Sequence, residues 1–101
     1  MKLRVTPRAL AEAKRINTWW RRHREAAPDL FERELEAVLA RAVLAPALGV
    51  VYEQDDLDVT VRRVLMPRTH HHVYYAVHGD EFVVLSVWGA PKGRGPKLKA
   101  P

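Results

Sequence analysis

The amino-acid sequence predicts an α+β fold, two layers in the order β-α-α-β-β-β, with a helical hairpin packed on one face of a mostly antiparallel sheet. Three observations predict it. Residues 59–88 hold three β-branched and aromatic runs with turn chemistry between them, the pattern of an antiparallel meander. Between Thr6 and Pro46 lie two stretches of helical apolar periodicity with a break at Ala26-Ala27-Pro28-Asp29. Ahead of both, Lys2 to Val5 alternates polar and apolar. At 101 residues the chain suits one two-layer core and not two. Residues 1–101 are therefore expected to form a single domain, with 89–101 a basic, flexible tail.

Lys2 to Val5 suits a short strand with Leu3 and Val5 on one face. Thr6-Pro7 is a helix-start signal: Thr as N-cap, then Pro at the first helical position, where its missing N–H costs nothing. This helix is expected to run to about Arg24. Ala9, Ala13, Ile16 and Trp20 make its core stripe, widened by Leu10. Lys14, Arg15, Arg21, Arg22 and Arg24 take the outer face, and the cations of the last turn suit the negative end of the helix dipole. Trp19 and Trp20 lie about 100° apart, so both can flank a helix seam but not share its centre.

In the break, Pro28 is expected at the first position of the second helix and Asp29 in its first turn. Phe31, Leu35, Val38 and Ala42, with Leu39 beside them, form the inner stripe. Glu32, Arg33, Glu34, Glu36 and Arg41 mark the solvated side. A short connection between two such helices predicts an antiparallel hairpin. Pro46 stops the second helix and Gly49 permits a bend. Ala45 to Asp58 reads as irregular. Its Glu53, Asp55, Asp56 and Asp58 lack the spacing and glycine of a calcium loop, so an acidic solvated loop is expected and no metal site.

In the meander, strict alternation puts Val73, Tyr75, Val77, Val83, Leu85 and Val87 on the helix-covered face, with His70, His72 and Tyr74 on an open face. Gly79-Asp80 is a two-residue hairpin loop. After Trp88 the Gly, Pro and Lys content excludes a regular helix or central strand.

The chain has no cysteine, which excludes disulfides and thiolate metal sites. No apolar run approaches membrane-spanning length, and Met1-Lys2-Leu3-Arg4-Val5 lacks the apolar core of a signal peptide, so a cytoplasmic protein with no membrane partner is expected. The net charge of +5 favours acidic partners, nucleic acid or protein. Two imidazoles, His70 and His72, without a third ligand do not make a zinc site. His72, Tyr74 and Arg62, with Lys92 or Arg94 from the tail, supply the residue types for general acid–base cleavage of RNA: a base, an acid, and cations for the phosphorane. Read without catalysis, Arg62, Arg63, Arg68, Trp88, Lys92 and Arg94 form a docking surface. No P-loop, nucleophile elbow or dinucleotide fingerprint is present, and no cofactor is expected.

The strand, the helical hairpin, Pro46-x-x-Gly49, Arg62-Arg63-Val64-Leu65, His72-Val73-Tyr74-Tyr75-Ala76-Val77 and Val83-Val84-Leu85-Ser86-Val87-Trp88 together resemble the RelE/ParE superfamily of toxins from bacterial type II toxin–antitoxin systems. The resemblance spans nearly the whole chain. It implies a cytoplasmic growth inhibitor, neutralised by a cognate antitoxin whose C-terminal segment wraps the toxin in a hetero-oligomer. RelE-like members cleave mRNA on the ribosome with basic sheet residues and a C-terminal Arg with Tyr or His, whereas ParE-like members poison DNA gyrase. Here the sheet arginine expected before the Val-Tyr-Tyr run is His72. The arginine expected after the last strand falls at Ala90, or at Lys92 if the loop slides, and no Tyr or His follows Trp88. ParE-like chains often continue into His-x-x-Arg, for which this chain has Gly89 and shifted cations at Lys92 and Arg94. The missing nuclease set implies a ParE-like gyrase inhibitor rather than an enzyme. Two alternatives stay open: a ribosome-dependent mRNA endonuclease using His72, Tyr74, Arg62, Lys92 and Arg94, and an inactive member that only binds its antitoxin.

Overall fold

The structure, a computed structural model, describes residues 1–54, 57–90 and 95–100. Strand β1 (Lys2–Val5) leads into helix α1 (Pro7–His23) and helix α2 (Leu30–Leu44). A short 3-10 turn (Pro46–Leu48) then precedes β2 (Val50–Tyr52), β3 (Val61–Met66), β4 (His71–His78) and β5 (Glu81–Gly89). The sheet order is β1-β5-β4-β3-β2, with β1 parallel to β5 and every other pair antiparallel. The α+β architecture expected from the sequence is the one observed, with β2 added at the edge. Three residues inside an acidic, polar stretch are too few to show a strand period, so Ala45–Asp58 read as irregular throughout. Asp55 and Asp56 lie outside the described residues.

The Thr6 hydroxyl accepts the Ala9 N–H at 3.2 Å and caps α1, with Pro7 first in the helix. The helix closes at Arg24, whose N–H reaches the Trp20 carbonyl. Helix α2 starts later than Pro28 suggests. Two tight turns, Ala27 N–H to Arg24 O at 3.0 Å and Leu30 N–H to Ala27 O at 3.2 Å, use up the linker. Asp29 therefore becomes the N-cap residue and Pro28 stays outside the helix. Gly79 has a φ of 62°, as the first residue of a tight β4–β5 hairpin requires.

The main core lies between the hairpin and the sheet. Ala9, Phe31, Val38 and Ala42 from the helices meet Met66, Val73, Tyr75, Phe82, Val84 and Val87, with Ala13, Ile16, Trp20 and Leu35 packed around them. Full burial of each large side chain here stabilises the fold by about 1.5–3 kcal/mol. Leu10 is not part of this stripe but is 46% exposed.

Two carboxylates break the helical pattern. Glu34, expected on the solvated side, is buried and accepts hydrogen bonds from the N–H groups of Arg68 and Thr69 (2.8 and 3.0 Å) and from the Thr69 hydroxyl (2.7 Å). Glu12 is likewise buried and accepts from the Ser86 hydroxyl at 2.8 Å and the Val87 N–H at 3.2 Å. Each helix thus pins one irregular piece of the chain, the β3–β4 turn or β5, through a buried carboxylate that accepts from its backbone donors.

The piece that Glu12 holds is a β-bulge. Tyr74 pairs with Ser86 but Tyr75 with Val84, which leaves Leu85 as the extra residue. One inserted residue reverses the alternation downstream. Phe82 and Val84 consequently face the helices, whereas Val83 and Leu85 belong to a second cluster on the opposite face. The expected placement of Val83 and Leu85 under the helices is thereby corrected, while Val73, Tyr75 and Val87 stand. Val77 is 42% exposed near the hairpin end. His70 is not in the strand; it ends the β3–β4 turn with a φ of 61°.

Candidate functional site on the outer face of the sheet

The face turned away from the helices collects residues from four strands. Register places Arg63 beside Tyr74 and Val50, and His72 between Leu65 and Trp88. His72 and Tyr74 sit two apart on β4 with their rings edge to face at 6.1 Å. Tyr74 also meets Tyr52 edge to face at 4.8 Å, and the Arg63 guanidinium lies 5.9 Å from the Tyr52 ring. A cation over an aromatic ring is held by its quadrupole, so Arg63 is steered along this face.

Half of the face is closed by the chain itself. Leu98 is buried against Val61, Tyr74, Ala76, Val83 and Leu85. Its N–H donates to Gln54 Oε1 at 2.8 Å, and Gln54 Nε2 donates to its carbonyl at 2.7 Å. Tyr52 donates to the Pro96 carbonyl at 2.9 Å and Arg8 to that of Lys97 at 2.6 Å. The described part of the tail, residues 95–100, is therefore strapped onto the sheet, where the sequence led us to expect a flexible segment. Tyr52, Gln54, Arg8 and Leu98 were missed in the sequence. The one available signal was Leu98 itself, a lone large apolar side chain in a basic tail.

The other half stays open. Val50 is 67% and Leu65 45% exposed, with Arg63, His72 and Trp88 half-buried between them. Burial pushes the His72 imidazole below its ordinary pKa, and the neighbouring charges of Arg63 and His71 push it the same way. Near neutral pH it is an uncharged ring in an apolar, singly cationic row. Burial also raises the Tyr52 phenol, reinforced by Tyr74 and partly offset by Arg63.

The expected acid–base set does not assemble on this face. Arg62 pairs with Tyr75, not Tyr74, and so points to the helix side, where it donates to the Gly49 carbonyl at 2.8 Å. Its grouping with His72 and Tyr74 is corrected by this register: Arg63 is the arginine they share a face with. Tyr74 is 1% exposed beneath the strap. An acid so covered cannot reach a leaving oxygen. Lys92 and Arg94 lie outside the described residues. Arg68 stands apart on the β3–β4 turn, and Trp88 packs at the margin of the outer cluster. Among the described residues no three His, Asp or Glu gather to hold a metal ion, and no helix is long and apolar enough to cross a membrane.

Comparison with known proteins gives this face a context. A comparison with the curated proteins returns no match. Among solved structures, a chain described as the chromosomal ParDE TA system from P. aeruginosa superposes with a TM-score of 0.61 at 16% identity, covering 88% of this chain and 95% of that one. At that identity the likeness is one of fold. The model of a protein family, described as the ParE toxin of the type II toxin–antitoxin system parDE, matches residues 3–90. That match runs from β1 through β5 and takes in every strand of the outer face, so the chain belongs to the ParE toxin family of type II toxin–antitoxin systems.

Proposed function

We propose that the protein is a cytoplasmic, ParE-like toxin that arrests growth by binding DNA gyrase and is neutralised by a cognate antitoxin. Family membership supports the toxin reading. One observation favours a binding protein over a ribosome-dependent nuclease: Arg62 is committed to the Gly49 carbonyl on the helix side, while Tyr74 is buried on the other face. Two groups on opposite faces of one sheet cannot act on one phosphodiester. The open row of Val50, Arg63, Leu65, His72 and Trp88 offers instead an apolar surface with a single cation, suited to a protein contact.

Induction in a bacterial host, with and without the small acidic reading frame expected beside the gene, tests this reading. The proposal expects growth arrest with relaxation of a reporter plasmid, both reversed by the antitoxin. Normal plasmid topology together with A-site cleavage on translating ribosomes would transfer the function to the nuclease reading. Unimpaired growth would leave a member that only binds its antitoxin.

A further inference from the structure

A second surface lies at the opposite face of the molecule, where the end of α1 meets the β3–β4 turn. Between them opens a cleft of about 690 Å³ lined by Ile16, Trp19, Trp20 and Arg24 on one side and Arg68 and His70 on the other. Its floor is apolar, its rim is cationic, and none of the described residues lining it is acidic. Arg22 extends the positive charge along α1, whereas Arg21 is ion-paired with Glu32 at 2.9 Å.

The cleft is held open by construction. Buried Glu34 fixes the backbone at Arg68 and Thr69 from below. The His70 carbonyl accepts the Ala90 N–H at 2.9 Å, and the His70 N–H donates to Met66 at 2.9 Å. Those bonds hold His70 at its φ of 61°, a region that non-glycine residues enter only where the surroundings impose it. On the other wall the Arg24 guanidinium sits 4.8 Å from the Trp19 ring and 5.4 Å from that of Trp20. Two arginines are thereby presented on opposite lips of a greasy slot.

We infer that this cleft seats an acidic, amphipathic segment of the antitoxin. A bulky apolar side chain enters against Ile16 and the tryptophans, and flanking carboxylates meet Arg24 and Arg68. The inference rests on the toxin–antitoxin reading and adds to it a place and a chemistry of contact. Complementarity supports an acidic occupant, because the described residues of the lining supply cations and no anions. Its apolar floor supports a side-chain anchor over a nucleobase. The Trp19 ring is already engaged within the chain, stacked on His23 at 4.7 Å and covered by Arg24, so a stacking base would compete with both.

The test is calorimetric binding of the purified product of the adjacent acidic reading frame to the full chain. Arg24→Glu combined with Arg68→Glu reverses both lips at exposed positions, and Trp19→Ala trims a wall that is 44% exposed. Lys2→Glu makes a similar charge change at the far end of β5, beside Glu81. The double variant is expected to weaken binding by at least about tenfold and Trp19→Ala by about fivefold or more, with Lys2→Glu within about twofold of the parent. Circular dichroism confirms that each variant is folded. Parent-like binding by the folded double variant would overturn the cleft assignment and leave the toxin–antitoxin reading standing. No binding by the parent chain would overturn that reading and the cleft with it. Tight binding of single-stranded RNA that is lost in Trp19→Ala would reassign the cleft to nucleic acid.

Discussion

Gln54 and Leu98 hold one another by a reciprocal pair of hydrogen bonds, in which the Gln54 amide replaces the strand partner that the Leu98 backbone lacks. The distances are 2.8 Å for the Leu98 N–H and 2.7 Å for its carbonyl. A side-chain amide offers one donor and one acceptor in the geometry of a peptide group, so a single residue anchors a tail with no strand of its own. The bond fixes where the Leu98 side chain lands, and that side chain seals Tyr74 and Leu85 from water.

Removing the seal is therefore expected to cost more than a surface change. Leu98→Ala should destabilise the fold by about 2 kcal/mol, at the low end for buried leucines because the strap can partly collapse. Gln54→Ala should cost about 1–2 kcal/mol through the two lost bonds. Urea unfolding measures both, and hydrogen exchange at the Leu98 amide should rise in each.

The buried carboxylate of Glu34 leads to a larger effect. Glu34→Ala strips acceptors from two backbone N–H groups and one hydroxyl at Arg68 and Thr69. The expected loss is about 2–4 kcal/mol. Glu34→Gln keeps one acceptor and should lose less. A matched loss in Glu34→Ala and in an exposed control, Glu36→Ala, would remove the pinning role.

Gly49 and Tyr75 set the position of β2. The Tyr75 hydroxyl donates to the Pro46 carbonyl at 2.5 Å and accepts the Gly49 N–H at 3.0 Å. A Cβ on residue 49 would collide with that hydroxyl and come within 3.0 Å of Arg62 Cβ. Gly49→Ala is expected to cost about 1–3 kcal/mol, and Tyr75→Phe about 1–2 kcal/mol. Faster hydrogen exchange across Val50–Tyr52 should accompany both.

Acid should weaken the outer face through His72. Its folded pKa lies below the ordinary 6.5, so the unfolded chain takes up the proton first as the pH falls. This contribution to stability is complete above about 6.5, declines as pH drops toward the folded value, and flattens below it. The ring is partly solvated, so the effect is small. Urea midpoints measured from about pH 7.5 to 5.5 should fall further for the parent than for His72→Gln. Parallel curves would exclude the effect.

Much of the fold was legible because its signals are local. Thr6-Pro7 states where α1 begins, Gly79-Asp80 where β4 turns into β5, and the apolar spacing of α2 which side is buried. The failures share another cause. Glu12 and Glu34 resemble solvated residues, since periodicity cannot show that a carboxylate will satisfy backbone donors far along the chain. The bulge at Leu85 leaves no mark in a run of apolar residues, yet it decides the faces of Val83 and Leu85. On the candidate site, alternation placed Tyr74 and His72 correctly together. It could not show that Leu98 would return to cover Tyr74, nor that Arg62 would be drawn to Gly49.

Gyrase binding, the action proposed for this ParE-family chain, can be measured with purified components. DNA gyrase supercoiling a relaxed plasmid is titrated with the protein, alone and after mixing with the antitoxin. Dose-dependent loss of supercoiling, restored by the antitoxin and weakened by Arg63→Glu on the open outer face, is the predicted result. Undiminished supercoiling at a large molar excess of folded protein would contradict it.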